Sequence, residues 1–253
     1  MQYHSRRKTR VIFIGSEKNH VKIGGSHSIA IQSMCTTKTH DVKKTVAQIK
    51  KLEKEGCEII RVTVPFPQDA DALPEILKKI NIPLIADIHY DYRMAIESIK
   101  KGAHKIRINP GNIGKKEWIA EIIETAKKYK CPIRIGVNAG SLEKDLWKKY
   151  GHPSAEAVVE SAMRWIEFFH RHDFYEIVLS LKSSRVPEMI RAYELIADQC
   201  DYPLHLGVTE AGTMLTGSVK NAIGIGSLLY RGIGDTIRVS LAEDPIKEIK
   251  ICK

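Results

Sequence analysis

The sequence predicts a single (β/α)8 barrel carrying a short N-terminal β-hairpin. Three observations lead there: eight short β-branched runs each followed by an amphipathic stretch, no Gly-rich fingerprint after the first run, and a length of 253 residues that one such barrel fills. Strict alternation of strand and helix implies parallel strands joined by right-handed crossovers, which either close into a ring or form a large open sheet. An open doubly wound sheet usually shows G-x-G-x-x-G at its first strand-to-helix turn, whereas here that strand leads into Met34-Cys35-Thr36-Thr37. The barrel is favoured, and the whole chain, 1–253, is read as one domain.

Ahead of the repeats, Val11–Ile14 and Val21–Ile23 flank the polar turn Ser16–Asn19 and read as a hairpin placed to plug the bottom of the barrel. The strands are then Ile29–Ser33, Ile59–Thr63, Pro83–His89, Lys105–Asn109, Pro132–Val137, Glu176–Lys182, Pro203–Val208 and Thr236–Leu241. Helical periodicity follows each, over Val42–Glu55, Ala70–Lys79, Tyr92–Lys101, Trp118–Tyr129, Ala155–His170, Pro187–Gln199, Gly217–Tyr230 and Pro245–Ile251.

Hydrophobic residues make up 43% of the chain and charged ones 28%, and no run of about 18 apolar residues occurs, so no membrane span is expected. The N-terminus is basic (Arg6, Arg7, Lys8, Arg10) but no apolar signal core follows it, which points to a cytoplasmic location. Cys35, Cys57, Cys131, Cys200 and Cys252 are scattered without a C-x-x-C pair, a pattern suited to a reducing compartment and not to a metal site. The net charge of +10 would suit nucleic acid, an acidic membrane or an anionic metabolite, so its position must decide. Lysines such as Lys43, Lys44, Lys50, Lys51, Lys127 and Lys128 lie in helical stretches and read as solvated faces, which argues against nucleic acid and membrane as partners.

The remaining cations fall at strand ends. In a parallel barrel alternate residues face the lumen, and those at the C-terminal ends line the site. Strand two ends in Arg61 and Thr63, strand three in Asp87 and His89, and strand four in Arg107 and Asn109. Strand five offers Arg134 with Asn138 beyond, and strand six Ser180 and Lys182. Strand seven offers His205, Thr209 and Glu210, and strand eight Arg238 and Ser240. A lumen filled for packing alone would hold Val, Ile and Leu, because an unpaired buried guanidinium costs several kcal/mol. Asp87 and Glu210 are the carboxylates expected at this level, too few for Arg61, Arg107, Arg134, Lys182 and Arg238. The excess calls for a compact, strongly anionic ligand, and several planar forks round one cavity suit a diphosphate. His89 and His205 are either satisfied hydrogen-bonding residues or members of the site. With a carboxylate they would imitate a metal site, but the adjacent cations oppose a divalent ion and none is expected in this chain. The turns Asn109-Pro-Gly-Asn112 and Asn138-Ala-Gly-Ser141 add backbone N–H groups near a ligand.

Taken together, Gln32-Ser33-Met34, Arg61-Val-Thr-Val-Pro65, Ala86-Asp-Ile-His89, Arg107-Ile-Asn-Pro-Gly-Asn112, Arg134-Ile-Gly-Val-Asn-Ala-Gly-Ser141, Ser180-Leu-Lys182, Leu204-His-Leu-Gly-Val-Thr-Glu-Ala-Gly212 and Gly234-Asp-Thr-Ile-Arg-Val-Ser240 closely resemble the 4-hydroxy-3-methylbut-2-en-1-yl diphosphate synthase family, from about Val21 to Pro245. The resemblance implies an oxidoreductase of the methylerythritol phosphate route to isoprenoids. It reductively opens and dehydrates 2-C-methyl-D-erythritol 2,4-cyclodiphosphate to hydroxymethylbutenyl diphosphate. By the same resemblance Arg61, Arg107, Arg134, Lys182 and Arg238, with Asn109, Asn138, Ser180, His205, Thr209 and Ser240, hold the diphosphate. Glu210, Asp87 and His89 lie nearest the carbon skeleton, with Glu210 the favoured proton donor or orienting group.

The family also implies a C-terminal domain whose three cysteines and one glutamate ligate a 4Fe-4S cluster, and this sequence does not contain it. The chain therefore reads as a truncated or separately expressed barrel that holds no cofactor of its own and binds substrate without turning it over. In the family, two subunits form a homodimer in which one cluster domain closes over the partner's barrel, and ferredoxin or flavodoxin supplies electrons. Two competing readings stay open on the residues alone: a pterin-binding barrel of the dihydropteroate synthase kind, and a non-enzymatic barrel that binds RNA, another protein or an anion.

Overall fold

A computed structural model describes residues 5–253. The hairpin comes first, as β1 (Ile12–Gly15) paired antiparallel with β2 (His20–Ile23). Eight parallel strands follow: β3 (Ala30–Met34), β4 (Ile59–Thr63), β5 (Leu84–Ile88), β6 (Lys105–Ile108), β7 (Ile133–Asn138), β8 (Ile177–Lys182), β9 (His205–Leu206) and β10 (Thr236–Ile237). They run in order round a ring, with β10 between β9 and β3, and a single parallel bridge from Leu179 to Leu204 joins β8 to β9. This single bridge nearly closes the ring, the barrel outcome and not the open sheet that strand alternation alone also allows. β9 and β10 are shorter than the sequence suggests, because regular pairing between them covers only two residues on each strand.

The outer layer is α1 (Val42–Lys54), α2 (Pro67–Leu77), α3 (Tyr92–Lys100), α5 (Lys116–Tyr129), α7 (Ala155–His170), α8 (Val186–Ala197), α9 (Met214–Tyr230) and α10 (Pro245–Cys252). Local chemistry sets their starts. Asp41, Asp91, Ser154 and Asp244 each accept a backbone N–H of the first turn, and proline stands in the first turn of α2, α8 and α10, where no N–H is needed. α1 shows why the helices dock: Thr45, Val46, Ile49 and Leu52 recur at helical spacing and are all buried. Two short helices not foreseen from periodicity interrupt the loops above the barrel: α4 (Pro110–Ile113) after β6, and α6 (Lys144–Tyr150) after β7. A 3-10 turn at Ala139–Ser141 lies between β7 and α6.

The hairpin seals the lower end of the lumen. Ile12, Ile14 and Ile23 are buried against Ala30, Ile59, Ile85 and Val178, an apolar layer distinct from the larger core between strands and helices. The basic N-terminal run ties down the same end. Arg7 donates to the carbonyls of Ala197 and Tyr202, both at 3.0 Å, and to that of Cys200; Arg6 pairs with Asp235 at 2.9 Å and Arg10 with Asp201 at 2.7 Å.

Replacing Ile14 by Ala removes three buried carbons from this floor. Urea denaturation is expected to show a loss of about 2–5 kcal/mol with an unchanged far-ultraviolet spectrum.

Candidate functional site

Above the apolar floor the lumen turns polar. The two-residue strand period carries Arg61 of β4, Asp87 of β5, Arg107 of β6, Arg134 of β7, Ser180 of β8 and His205 of β9 to the interior, and all six are buried. Asn109 is buried just beyond β6, while Thr63, His89, Asn138, Lys182, Thr209, Arg238 and Ser240 stand higher and are only partly covered. The barrel thus gathers nearly every residue that strand parity singles out. Two further members were missed. Gln32 on β3 and Lys105 on β6 are both fully buried and share the parity of their inward-facing strand neighbours. That parity is the signal that marks them, although both lie below the strand ends.

One carboxylate organises the centre. Asp87 forms an ion pair with Arg61 at 3.1 Å through one oxygen and accepts from Arg107 at 3.2 Å through the other. Burial alone would raise the Asp87 pKa, but the two guanidinium groups outweigh it and hold the carboxyl well below the usual range. Burial, reinforced by Arg238 and Arg107 and only partly offset by Asp87, brings Arg61 down to about 10. The sulfur of Met34 lies between Arg61 Nη2, at 2.9 Å, and Arg238 Nη1, at 3.5 Å.

The charge count taken from the sequence needs correction on both sides. Glu248 of α10, buried to 1% exposure, takes Arg238 in a two-point pair at 3.1 and 3.2 Å, and also accepts from the Ser33 hydroxyl. Glu210, which the sequence suggested as an internal carboxylate, is exposed on the turn after β9 with a left-handed backbone, φ 53°. It neutralises nothing inside. The interior carboxylates are therefore Asp87 and Glu248, set against four arginines and the amines of Lys105 and Lys182.

Arg134 marks where the imbalance concentrates. Its relative exposure is 0%, and none of its three guanidinium nitrogens has a protein partner among the described residues. Lys105 Nζ, Arg61 Nη1, Arg107 Nε and Ser180 Oγ are likewise buried without a partner. Burial, compounded by Arg61 and Arg107, disfavours the charge on Arg134 strongly. Gly136, two residues along β7, gives Arg107 its position: a Cβ there would stand 2.7 Å from Arg107 Nε, so only glycine lets that guanidinium lie across the strand. His205 is held by Nδ1 at 2.5 Å from the Thr236 hydroxyl. Burial, then Arg134 and Lys182, pushes its pKa well down, which leaves the ring neutral. Asn109 serves the loop, donating to Ser141 Oγ at 2.6 Å and capping Gly111 N–H at 3.2 Å.

A cation-lined lumen in a parallel barrel does not by itself name a family, and comparison with known proteins narrows the field. Residues 9–253 match the model of the GcpE TIM-barrel domain. The chain belongs to the GcpE TIM-barrel family. Relatives of this GcpE barrel include the 4-hydroxy-3-methylbut-2-en-1-yl diphosphate synthase (flavodoxin) of Caldanaerobacter subterraneus subsp. tengcongensis, 59% identical over 97% of this chain and 68% of the relative. The enzyme of the same name from Geobacillus thermodenitrificans is 54% identical over 98% of this chain and 65% of its own length. That from Fusobacterium nucleatum is 53% identical over 98% and 69%. The GcpE barrel thus spans about two thirds of the length of these relatives.

Among solved structures, dihydropteroate synthase of Xanthomonas albilineans superposes with a TM-score of 0.64 at 10% identity, covering 96% of this chain and 97% of that one. A phospho-2-dehydro-3-deoxyheptonate aldolase from Thermotoga maritima gives 0.63 at 15% identity, covering 93% and 66%. At such identities the likeness is one of fold.

The Asp87 bridge has a pH signature. Its folded-state pKa is depressed, so its contribution is complete above the ordinary carboxylate value of about 3.9 and is lost as pH falls below it. Asp87→Asn leaves Arg61 and Arg107 without a counter-charge and is expected to cost about 3–5 kcal/mol at neutral pH, with a flatter acid limb in denaturation curves.

Proposed function

We propose that this GcpE barrel is the substrate-holding part of a 4-hydroxy-3-methylbut-2-en-1-yl diphosphate synthase, and that its lumen binds 2-C-methyl-D-erythritol 2,4-cyclodiphosphate. The observation that carries the reading is Arg134, a guanidinium fully buried and, among the described residues, with every nitrogen unpartnered beside Arg61, Arg107 and Lys105. A diphosphate supplies both the charge and the acceptor oxygens that this group lacks. Arg134, with the free nitrogens of Arg61 and Arg107, takes one phosphate; Lys182, Arg238, Ser240 and Ser180 take the other; Asn138, Thr209 and His205 complete the wall. Asn109 acts by holding the loop.

The chemistry gives this arrangement a use. Two electrons break the ring carbon–oxygen bond with the diphosphate as leaving group, and one hydroxyl departs as water, consuming one proton. The diphosphate gains a negative charge during that step, so donors already aimed at it hold the product side more tightly than the substrate side. Asp87 fixes two of those donors. His89 and Glu210, at the rim, orient the carbon skeleton, and Glu210 supplies the proton for the departing hydroxyl.

The barrel's own residues do not fit a 4Fe-4S cluster. Its five cysteines are dispersed, three of them buried, and no group of three or more His, Cys, Asp or Glu among the described residues could hold a metal ion. On this reading the two electrons therefore come from a donor other than these barrel residues, in keeping with flavodoxin, for which the relatives are named; a homodimer belongs to the same reading. The isolated barrel binds but does not reduce its substrate.

Arg134→Met tests the reading in two ways. Removal of an unpaired buried charge is expected to raise the thermal midpoint of the ligand-free chain while calorimetric affinity for the cyclodiphosphate falls by about 100-fold or more. Lys128→Ala, on an exposed helix face, should leave affinity unchanged. Salt-sensitive binding of RNA that survives Arg134→Met, or product formation by the isolated chain with a strong reductant, contradicts the reading.

A further inference from the structure

Lys105 lies one strand period below Arg107 on β6, deeper than the residues assigned to the diphosphate. Its side chain is fully buried and its Nζ has no partner among the described residues. The charged and titratable groups around it are Arg61 from β4, Arg134 from β7, His205 from β9 and the thiol of Cys131, two residues before β7. None of them neutralises an ammonium. His205 is itself a base, tied through Nδ1 to Thr236. Burial raises the Cys131 thiol to about 12, so it stays protonated. The two interior carboxylates are already engaged, Asp87 by Arg61 and Arg107, and Glu248 by Arg238.

Of the cations crowded here, arginine does not release its proton, whereas a lysine amine does. We propose that Lys105 is an anion-site residue that stands as a neutral amine in the ligand-free chain and takes one proton from solvent when a phosphate anion seats beside Arg134. The inference rests on the anion-binding reading above and adds what that reading lacks. The deepest cation of the site is charged by its ligand, so the lumen avoids one uncompensated charge before binding and gains one more charge-assisted hydrogen bond afterwards. Burial, followed by Arg134 and Arg61, pushes the Lys105 pKa well down, in the direction the geometry requires.

The test is calorimetry of the cyclodiphosphate, and separately of sulfate, in buffers of different ionisation heat near neutral pH. Neither ligand carries a group that titrates there, so any proton taken up belongs to the protein. About one proton per ligand is expected for the natural chain. Lys105→Met should take up none and bind about tenfold more weakly. Nuclear magnetic resonance of the Lys105 Cε in the natural chain, needing no substitution, should shift from amine to ammonium on adding either anion. Binding with no proton uptake, or uptake that persists in Lys105→Met, overturns the proposal. Should sulfate bind with proton uptake while the cyclodiphosphate does not bind, the proposal stands and the substrate reading falls. If neither anion binds, both fall.

Discussion

A guanidinium buried without a counter-charge is among the more expensive things a fold can contain, and the lumen of this barrel is arranged around one. Arg134 faces the interior because β7 alternates, and none of its guanidinium nitrogens meets a partner among the described residues. The residues round it do not repair the deficit. Asp87 is already divided between two other arginines, and Glu248 is spent on Arg238. An anion with several acceptor oxygens would resolve all of these at once, and under the proposed reading the deficit that weakens the ligand-free barrel is what such an anion converts into binding energy.

The fold makes such a deficit tolerable by confining it. Below the charged layer the hairpin residues Ile12, Ile14 and Ile23 close the lumen with a dry floor, and Arg6, Arg7 and Arg10 hold that end together. Above it the loops rise to the mouth. Arg61, Arg107, Arg134, Ser180 and Lys182 are mounted on strands, which under the proposed reading spares them reorganisation as charge develops in front of them. In so enclosed a place each Coulomb interaction is also stronger than it would be in water, which magnifies both the cost of Arg134 alone and the gain of Arg134 with a partner.

Much of this was legible in the residues, because a barrel strand has only two faces and parity assigns them. Arg61, Asp87, Arg107, Arg134, Ser180 and His205 were each placed correctly by counting in twos. Gln32 and Lys105 obey the same rule and escaped only because they lie below the strand ends. Glu248 could not have been found in this way: it comes from the last helix and meets Ser33 and Arg238 through tertiary closure of the ring, which no local spacing encodes. Glu210 failed for a related reason, since a left-handed φ of 53° on the turn decides its direction, and sequence neighbours do not reveal that angle. The short helix Lys144–Tyr150 has too few turns to show a period, so it too stayed hidden. Membership of the GcpE family rests on long motifs and on identities above 50% to proteins of one name.

The most direct measurement is a crystal structure of this chain soaked with 2-C-methyl-D-erythritol 2,4-cyclodiphosphate. The account requires phosphate oxygens within hydrogen-bond distance of at least two nitrogens of Arg134, with Asp87 still bridging Arg61 and Arg107. A ligand lodged outside the lumen, or an Arg134 whose nitrogens are all met by protein groups while the ligand binds elsewhere, would contradict it.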